Sequence, residues 1–172
     1  MNLQSTDFEL FGLVQKFAQD RAVIDARWKE LQREAHPDKF AAQGTAAQRI
    51  AMQWSVRINE AYQRLKDPLK RAAYLCELNG AAVNAENNTA MPADFLMQQM
   101  EWREALEAAS SLANIEAVNA ELLTAKADTL QKCERLLDGD HDYVEAVAQV
   151  RALMFIARFA HDVEMRFELL GQ

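Results

Sequence analysis

The sequence predicts an all-α protein built from two helical modules. Only five Gly and three Pro occur among 172 residues, and Ala, Leu, Gln and Glu are abundant, which favours helices over strands. Apolar residues recur at the period of an α-helix, and no run shows the alternation of a β-strand. Half of the residues are hydrophobic, so a chain of this length can bury a core.

The first two helices have clear start signals. Residues 6–9 form a capping box, with Thr6 as the cap, and predict a short helix through Leu10 and Leu13. Asp20 can cap a second helix that runs to about residue 35. One face of this second helix is apolar at helical spacing, with Ile24, Trp28, Leu31 and Ala35.

A polar turn, His36-Pro37-Asp38, ends the second helix. Pro37 cannot continue a helix, and it pushes His36 out of the helical conformation. One interpretation is a simple helix stop followed by a turn-forming Asp38. The other is a fixed surface that a second protein reads, because the turn stands between two amphipathic helices.

Two more helices complete the first module. A capping box at residues 45–48 predicts the start of the third helix, and Asp67-Pro68 predicts the start of the fourth, which Gly80 ends. The third helix has one apolar face, formed by Ile50, Trp54, Ile58, Ala61 and Leu65. Since helices two and three have opposed apolar faces and a loop of about ten residues between them, we expect an antiparallel hairpin.

A change in composition predicts the boundary between the modules. Residues 80–92 lack helical periodicity and are rich in turn formers. We therefore assign residues 1–79 to the first module, 80–92 to a linker and 93–172 to the second module.

The second module contains three helical stretches. They cover about residues 93–112, 114–137 and 142–170, with Asn114 as the expected cap of the middle one and Asp142 as the cap of the last. Because the connections between them are short, we expect an up-down-up bundle of three helices.

The net charge of −7 is unevenly divided between the modules. Residues 1–78 carry 12 Lys and Arg against 10 Asp and Glu, whereas residues 79–172 carry 7 against 16, which gives +2 and −9. An acidic half of this kind repels nucleic acid and anionic membranes and suits a partner with a basic patch. With neither a signal segment nor a membrane-spanning stretch in the sequence, we expect a soluble cytoplasmic protein.

Cysteine and histidine spacing does not indicate a metal site. Cys76 and Cys133 lie far apart, without Cys or His neighbours at metal-ligand spacing, which is typical of ordinary thiols on helix faces. His141 and His161 are interpreted as structural. We therefore expect neither a metal nor a cofactor.

The helix that begins near residue 93 has two apolar faces. The face predicted to join the core contains Phe95, Trp102, Leu106 and Ala109. The opposite face contains Leu96, Met97 and Met100, together with Glu101 and Glu104. A three-helix bundle needs one apolar stripe from each helix, so the second patch either packs against the first module or the linker, or binds another protein.

Several segments together resemble a J-domain and, more narrowly, the HscB family of J-type co-chaperones of iron–sulfur cluster assembly. Four of them lie in the first module, at residues 8–13, 36–40, 58–68 and 71–75. The stretch at residues 95–104 resembles the C-terminal half of the same family. The resemblance covers nearly the whole chain.

This resemblance implies a co-chaperone that is not an enzyme. The J-domain of such a protein stimulates the ATPase of a DnaK-type chaperone, HscA, and the C-terminal bundle holds the scaffold protein IscU. The resemblance also implies that the two modules are arranged as an L. It assigns the chaperone contact to His36, Pro37, Asp38, Lys29, Arg33 and Lys39. It assigns the client contact to Leu96, Met97, Met100, Glu101, Glu104 and Phe155.

Two features depart from the family pattern. The basic patch of the second helix is thin, because Asp25, Glu30 and Glu34 lie among its basic residues, so we expect modest electrostatic steering. A further acidic position of the family, one turn beyond Glu104, is occupied by Ala108. The acidic margin of the client surface is correspondingly weaker.

Two alternatives to this function remain open. The chain can be a J-domain co-chaperone with another client or none, in which the acidic bundle only dimerises or acts as a spacer. It can also be an enzyme that uses His36 and Asp38 as an acid–base pair. The second alternative is disfavoured, because no nucleophile, metal cluster or phosphate loop accompanies the pair in the sequence.

Overall fold

The computed structural model describes residues 2–84 and 90–171. All regular elements in these ranges are helical, which confirms the predicted all-α fold. The helices are α1 (Asp7–Phe11), α2 (Arg21–Ala35), α3 (Thr45–Lys66), α4 (Pro68–Leu78), α5 (Ala93–Ala108), α6 (Leu112–Glu134) and α7 (Tyr143–Leu170). A 3₁₀ helix (Pro37–Gln43) follows α2, and a π-helical turn (Arg135–Gly139) follows α6.

The chain divides into two compact units, Met1–Leu75 and Cys76–Gln172. Part of the predicted linker, residues 85–89, lies outside the described residues. No helix in the described part of the chain is long and apolar enough to cross a membrane.

Side-chain caps begin α1 and α2 as the sequence predicts. The Thr6 hydroxyl accepts a hydrogen bond from the backbone N–H of Glu9 at 3.1 Å, and the Asp20 carboxylate accepts one from Ala22 at 2.9 Å. The prediction that α1 extends through Leu13 is wrong. Gly12 adopts a left-handed conformation with φ of 63° directly after Phe11, and this conformation ends the helix.

Helices α2 and α3 form the predicted antiparallel hairpin. The Tyr62 hydroxyl donates to Asp25 at 2.8 Å, and the Ser55 hydroxyl donates to the carbonyl of Ala35 at 3.4 Å. Between these two contacts, the residue number rises from 25 to 35 along α2 and falls from 62 to 55 along α3. The two helices are therefore antiparallel. The hairpin core contains Ile24, Ile58, Ala61 and Leu65, all of which are buried.

Two predictions for α3 are wrong by one position. Thr45 is already the first helical residue, and Gly44 occupies the cap position, where it has no side chain to cap the helix. The Gly44 carbonyl accepts the first helical hydrogen bond, from the N–H of Gln48. Ile50 is 55% exposed, whereas Ala51 is buried. Ala51 stands seven residues before Ile58, which is two full helical turns, and so it shares the core-facing stripe.

A buried carboxylate joins α1 to α3. Asp7 is fully buried and forms ion pairs with Arg64 at 2.6 Å and with Arg57 at 2.8 Å. Its backbone N–H also donates to the Tyr74 hydroxyl at 3.0 Å. A carboxylate at this depth is stable only when such partners surround it. From the sequence alone, Asp7 is predicted only as part of a capping box.

The caps of α4 follow the prediction. The Asp67 carboxylate accepts a hydrogen bond from Leu69 at 3.0 Å, and Pro68 is the first helical residue. Gly80, with φ of 81°, lies just after the end of this helix. Its N–H donates to the carbonyl of Glu77 at 3.1 Å, which satisfies a terminal acceptor.

The second unit contains the predicted three-helix bundle. Aromatic contacts show that α5 and α7 run in the same direction, since Phe95 meets Phe155 at 5.8 Å and Trp102 meets Phe159 at 6.2 Å. Helix α6 lies between them in the chain and packs against both. The core consists of Trp102, Ala109, Ile115, Val118, Leu122, Phe155, Ile156, Phe159 and Val163.

The cap of α7 is the predicted one, but the cap of α6 is not. The Asp142 carboxylate accepts from the N–H of Glu145 at 3.1 Å. Ser111, rather than Asn114, caps α6, since its hydroxyl accepts from the N–H of Asn114 at 3.2 Å. Asn114 instead accepts from the N–H of Ser110. Both side chains are good caps, and only the position of the preceding chain decides between them.

Cys76 and Cys133 are free and buried thiols. Burial raises the pKa of Cys76 to about 11 and that of Cys133 to about 12. Both are therefore protonated and unreactive near neutral pH, which agrees with their interpretation as ordinary thiols.

Candidate protein-binding surfaces

The His36-Pro37-Asp38 turn is an ordered and exposed structure at the end of α2. His36 has extended backbone angles and ends α2, while Pro37 begins the 3₁₀ helix. The His36 Nδ1 atom accepts a hydrogen bond from the backbone N–H of Asp38 at 3.2 Å. A neutral imidazole that accepts at Nδ1 carries its proton on Nε2. The turn thus offers a donor at Nε2 to a partner.

The second polar group of the turn is the Asp38 carboxylate. Its side chain is 91% exposed, and that of His36 is 57% exposed. The nearer carboxylate oxygen lies 3.6 Å from the His36 Nδ1 atom. The turn therefore presents a donor and an acceptor side by side, on a backbone whose freedom Pro37 restricts.

Basic residues lie close to this turn in the chain. Lys29, Arg33 and Lys39 are all exposed, and none of them has an ion-pair partner within 4 Å among residues 2–84 and 90–171. Lys29 and Arg33 are four residues apart on α2 and so share one face. These three cations remain available to a negatively charged partner.

The acidic residues of α2 are largely occupied by other partners. Asp25 pairs with Arg21 at 2.9 Å, and Glu30 pairs with Arg27 at 3.4 Å. Hydrogen bonds from Arg21 and then from Tyr62 lower the pKa of the Asp25 carboxyl. The intervening carboxylates therefore weaken the basic face less than their number in the sequence indicates.

Sequence reasoning missed an apolar pocket behind the turn. It has a volume of about 470 Å³ and lies between α2, the 3₁₀ helix and α3. Leu31, Phe40, Ile50 and Trp54 are among its lining residues. The pocket explains where the side chain of Ile50 lies, although that residue is excluded from the core.

Helix α5 has the two faces that its sequence predicts. Trp102 is 1% exposed, and Phe95 and Leu106 pack against the same core. On the other side, the exposed fractions are 48% for Leu96, 66% for Met97 and 63% for Met100. We call these three side chains the apolar patch. They take no part in the bundle core.

Carboxylates border the apolar patch. Glu101 and Glu104 are exposed on α5, and the Glu101 carboxylate accepts a hydrogen bond from the Gln98 amide at 3.4 Å. Ala108, one turn farther on, is also exposed and adds no charge. Glu107, three residues beyond Glu104, is exposed on the same side of α5 and continues the acidic margin.

Phe155 lies mainly inside the bundle. Its side chain is 6% exposed, stacks on Phe159 at 5.7 Å and meets the edge of Phe95 at 5.8 Å. The guanidinium group of Arg103 lies 5.4 Å from the centre of its ring. Phe155 also lines a groove of about 660 Å³ beside α5 and α7. A direct contact of Phe155 with a client stays a prediction, and any such contact is small.

The described residues show no constellation for metal binding. No group of three or more His, Cys, Asp and Glu side chains in the described part of the chain could hold a metal ion. An exposed apolar patch is, in contrast, typical of a protein-binding surface.

Comparisons with known proteins agree with this description. Residues 91–164 match the model of a family described as the HSCB C-terminal oligomerisation domain. The chain is 49% identical to the co-chaperone protein HscB homolog of Burkholderia multivorans, over 99% of this chain and 98% of that protein. It is 48% identical to the homolog of Burkholderia cenocepacia over the same shares.

Two solved structures resemble the fold of this chain. The chaperone HscB from Vibrio cholerae superposes with a TM-score of 0.83 at 34% sequence identity, covering 96% of this chain and 99% of that one. The human co-chaperone protein HscB gives a TM-score of 0.89 at 23% identity, covering 96% of this chain and 84% of that one. At 23% identity, the human protein shows a similarity of fold alone.

Proposed function

The chain belongs to the HscB family of co-chaperones, and from this premise we propose that it couples a chaperone ATPase to one client. In this proposal, residues 1–79 form a J-domain that stimulates the ATPase of the DnaK-type chaperone HscA. Residues 93–172, joined by the linker at 80–92, bind the iron–sulfur scaffold protein IscU and deliver it to HscA. The reaction takes place in the cytoplasm and aids the maturation of iron–sulfur proteins.

The observation that carries the proposal is the presence of one exposed binding feature in each unit. The first unit presents the His36-Pro37-Asp38 turn, and the second presents the apolar patch of Leu96, Met97 and Met100. Each feature stands apart from the core of its own unit. Two partners can therefore bind without disturbing the packing that holds either unit together.

The geometry of the turn supports its use as a trigger. Because Pro37 and the hydrogen bond from Asp38 N–H to His36 Nδ1 already restrict the turn, little conformational entropy is lost when a partner binds. The free Nε2–H donor and the Asp38 carboxylate then supply directional contacts. Lys29, Arg33 and Lys39 add a positive field that speeds the encounter with an acidic partner surface.

The apolar patch supports client binding through different chemistry. Met97 and Met100 have flexible, polarisable side chains that adapt to an irregular partner surface. Glu101 and Glu104 border the patch and favour a client with basic residues around an apolar centre.

Holding both partners on one chain raises the concentration of the client beside the chaperone. A tether converts the second encounter into an intramolecular one, with an effective concentration that reaches the millimolar range for short connections. ATP hydrolysis triggered by the turn then occurs when the client is near. This coupling is the proposed advantage of the two-unit design.

A single-turnover ATPase assay with HscA tests the role of the turn. We expect His36→Gln to abolish stimulation, because the flexible amide does not hold its donor where the imidazole ring holds Nε2–H. The fold and the client affinity should stay unchanged. His161→Gln, at an exposed position of α7, is the matched control and should stimulate like the wild type. Full stimulation by the His36 variant would refute the assignment of the turn.

A second candidate function is favoured by the description of the matching family as an oligomerisation domain. In this alternative, the apolar patch pairs with a second copy of the chain, and the client is another protein. Sedimentation velocity distinguishes the two candidate functions. A monomer that forms a complex with IscU would support the main proposal. A dimer would support self-association if the double variant Leu96→Ala with Met100→Ala no longer forms it.

A further inference from the structure

Two arginines of α7 bind backbone carbonyls at opposite ends of α5. Arg151 donates to the carbonyl of Ala90, just before α5, at 3.2 Å, and Arg166 donates to that of Ala109, just after it, at 3.3 Å. The two arginines are separated by about 22 Å along α7, and the 16 residues of α5 extend about 24 Å. Because α5 and α7 run in the same direction, each arginine meets one end of α5.

Arg151 provides the stronger of the two anchors. Its side chain is buried, with an exposed fraction of 7%, and it also donates to the carbonyl of Val83 at 2.9 and 3.2 Å. One guanidinium group therefore holds two carbonyls that belong to separate positions before α5. Arg166 is only partly buried, and its hydrogen bonds to the carbonyls of Glu107 and Ala109 are longer, at 3.4 and 3.3 Å.

Burial of the Arg151 charge is costly for the fold. No carboxylate lies within 4 Å of its guanidinium nitrogens among residues 2–84 and 90–171. A buried charge without an ion-pair partner loses its hydration, and a well-packed apolar side chain of similar size often gives an equally or more stable fold. A planar guanidinium group, in contrast, donates in several fixed directions at once. The special contribution of Arg151 is therefore to fix the positions of the carbonyls that it binds.

The beginning of α5 lacks a side-chain cap. Pro92 occupies the cap position and makes no side-chain hydrogen bond, whereas aspartate carboxylates cap α2 and α7. The N–H groups of Phe95 and Leu96 donate to the Pro92 carbonyl at 3.1 and 3.2 Å. Ala90 lies two residues before Pro92 in the chain, so its bond to Arg151 fixes the segment that enters the helix.

Two of the three side chains of the apolar patch lie at this end of α5. Leu96 and Met97 follow closely after Ala93, the first helical residue, so their positions depend on a well-formed first turn. Helix ends open more readily than helix centres. A client that met an open turn would have to order it, and the lost conformational entropy would weaken binding.

We infer that Arg151 is a positioning residue for client binding: it keeps the first turn of α5 formed, and with it the binding arrangement of Leu96 and Met97. This inference rests on the proposed function, in which the apolar patch binds IscU. Arg166 has no such role, because it holds the opposite end of α5, away from these two side chains. The two arginines therefore form a matched pair for experiments.

Amide hydrogen exchange tests the effect on the helix without any client. Arg151→Met removes the guanidinium group and keeps much of the side-chain volume. We expect the N–H groups of Leu96 and Met97 to exchange about fivefold faster in this variant, which is the effect of losing roughly one net hydrogen bond. Arg166→Met should leave the exchange of these two groups unchanged. Unchanged exchange at Leu96 and Met97 in Arg151→Met would overturn the inference.

Calorimetry with IscU tests the consequence for the client. Arg151→Met should weaken IscU binding about fivefold, since the client must then order the turn, whereas Arg166→Met should bind like the wild type. Arg151→Lys keeps the charge but not the planar fork of donors, and it should also bind more weakly; it takes the place of Arg151→Met if that variant does not fold. Wild-type affinity in the Arg151 variants, or equal losses in Arg151→Met and Arg166→Met, would overturn the inference.

A new cap distinguishes positioning from general damage to the fold. Pro92→Ser introduces a hydroxyl at the cap position of α5. Combined with Arg151→Met, it should restore both the slow exchange of Leu96 and most of the IscU affinity. A loss of affinity that persists after slow exchange has returned would contradict the inference. Absence of any IscU complex with the wild-type chain would instead refute the proposed function, and the exchange rates would still show whether Arg151 fixes the turn.

Discussion

The turn after α2 and the apolar patch of α5 are both exposed, but they offer a partner different kinds of contact. The turn is small, polar and fixed by Pro37 and the hydrogen bond to His36 Nδ1. The patch is broader and apolar, and two of its three side chains are flexible methionines. A restricted polar turn suits one contact made in the same way each time, whereas a methionine surface adapts to its partner.

The interiors of the two units differ in a related way. In the first unit, the fully buried Asp7 is held by Arg57 and Arg64. In the second, Trp102, Phe155 and Phe159 form an aromatic stack at the centre of the bundle. The comparison predicts that loss of the buried carboxylate destabilises the first unit, and that loss of a ring from the aromatic stack destabilises the second.

The largest expected effect on stability is that of Phe155→Ala. Removal of a buried aromatic side chain from the stack should lower the free energy of unfolding by about 3–5 kcal/mol. Urea unfolding followed by circular dichroism measures this loss. Phe8→Ala removes a ring of the same size that is also buried, but in the first unit. It therefore serves as the control variant. A loss under about 1 kcal/mol for Phe155 would place it on the surface and strengthen its direct client role.

The buried carboxylate should show the next largest effect. Asp7→Asn leaves two arginines without their partner, and we expect a loss of about 3 kcal/mol, at the lower end for buried pairs because Arg64 is partly exposed. Asp38→Asn is the matched control, since that side chain is 91% exposed, and it should leave stability nearly unchanged. Similar unfolding curves for the two variants would contradict the distinction between a structural and a contact carboxylate.

A smaller effect is expected for the apolar patch, and it should appear in binding alone. Leu96→Ala with Met100→Ala should weaken the IscU complex at least tenfold by calorimetry, which corresponds to about 1.4 kcal/mol, without lowering stability. Leu123→Ala with Met165→Ala, at exposed positions of α6 and α7, supplies a control of the same size. Unchanged affinity in the first variant would remove the patch from the client surface.

The smallest effect is expected from the basic residues of α2. Lys29→Gln with Arg33→Gln should slow association with HscA by about threefold at low salt and have less effect at high salt, because rim charges act mainly on the encounter rate. Stopped-flow measurements at two ionic strengths give this association rate. A salt-independent loss would indicate that these side chains make close contacts instead of steering.

Local chemistry allowed most helix boundaries to be predicted from the sequence. Asp20, Asp67 and Asp142 act as caps because each needs only its own neighbours in the chain to do so. The cap lies one residue before Thr45 and three residues before Asn114, and in both cases the path of the preceding loop decides which residue caps the helix. The two faces of α5 were predictable because a single helix determines them.

Contacts between distant segments were not predictable in this way. The sequence gives no sign that Asp7 meets Arg57 and Arg64, or that the buried Arg151 donates to the carbonyls of Val83 and Ala90 at 2.9 and 3.2 Å. The apolar pocket lined by Leu31, Phe40 and Trp54 likewise depends on how helices pack. Burial of a polar group reflects the whole fold, and a one-dimensional pattern does not contain it.

Single-turnover ATP hydrolysis on HscA, measured with and without IscU, tests whether one unit triggers hydrolysis while the other holds the client. We expect His36→Gln to remove stimulation under both conditions. We expect Leu96→Ala with Met100→Ala to keep the basal stimulation and to lose only the increment due to IscU. Full stimulation by the His36 variant, or loss of basal stimulation in the patch variant, would contradict this division of roles.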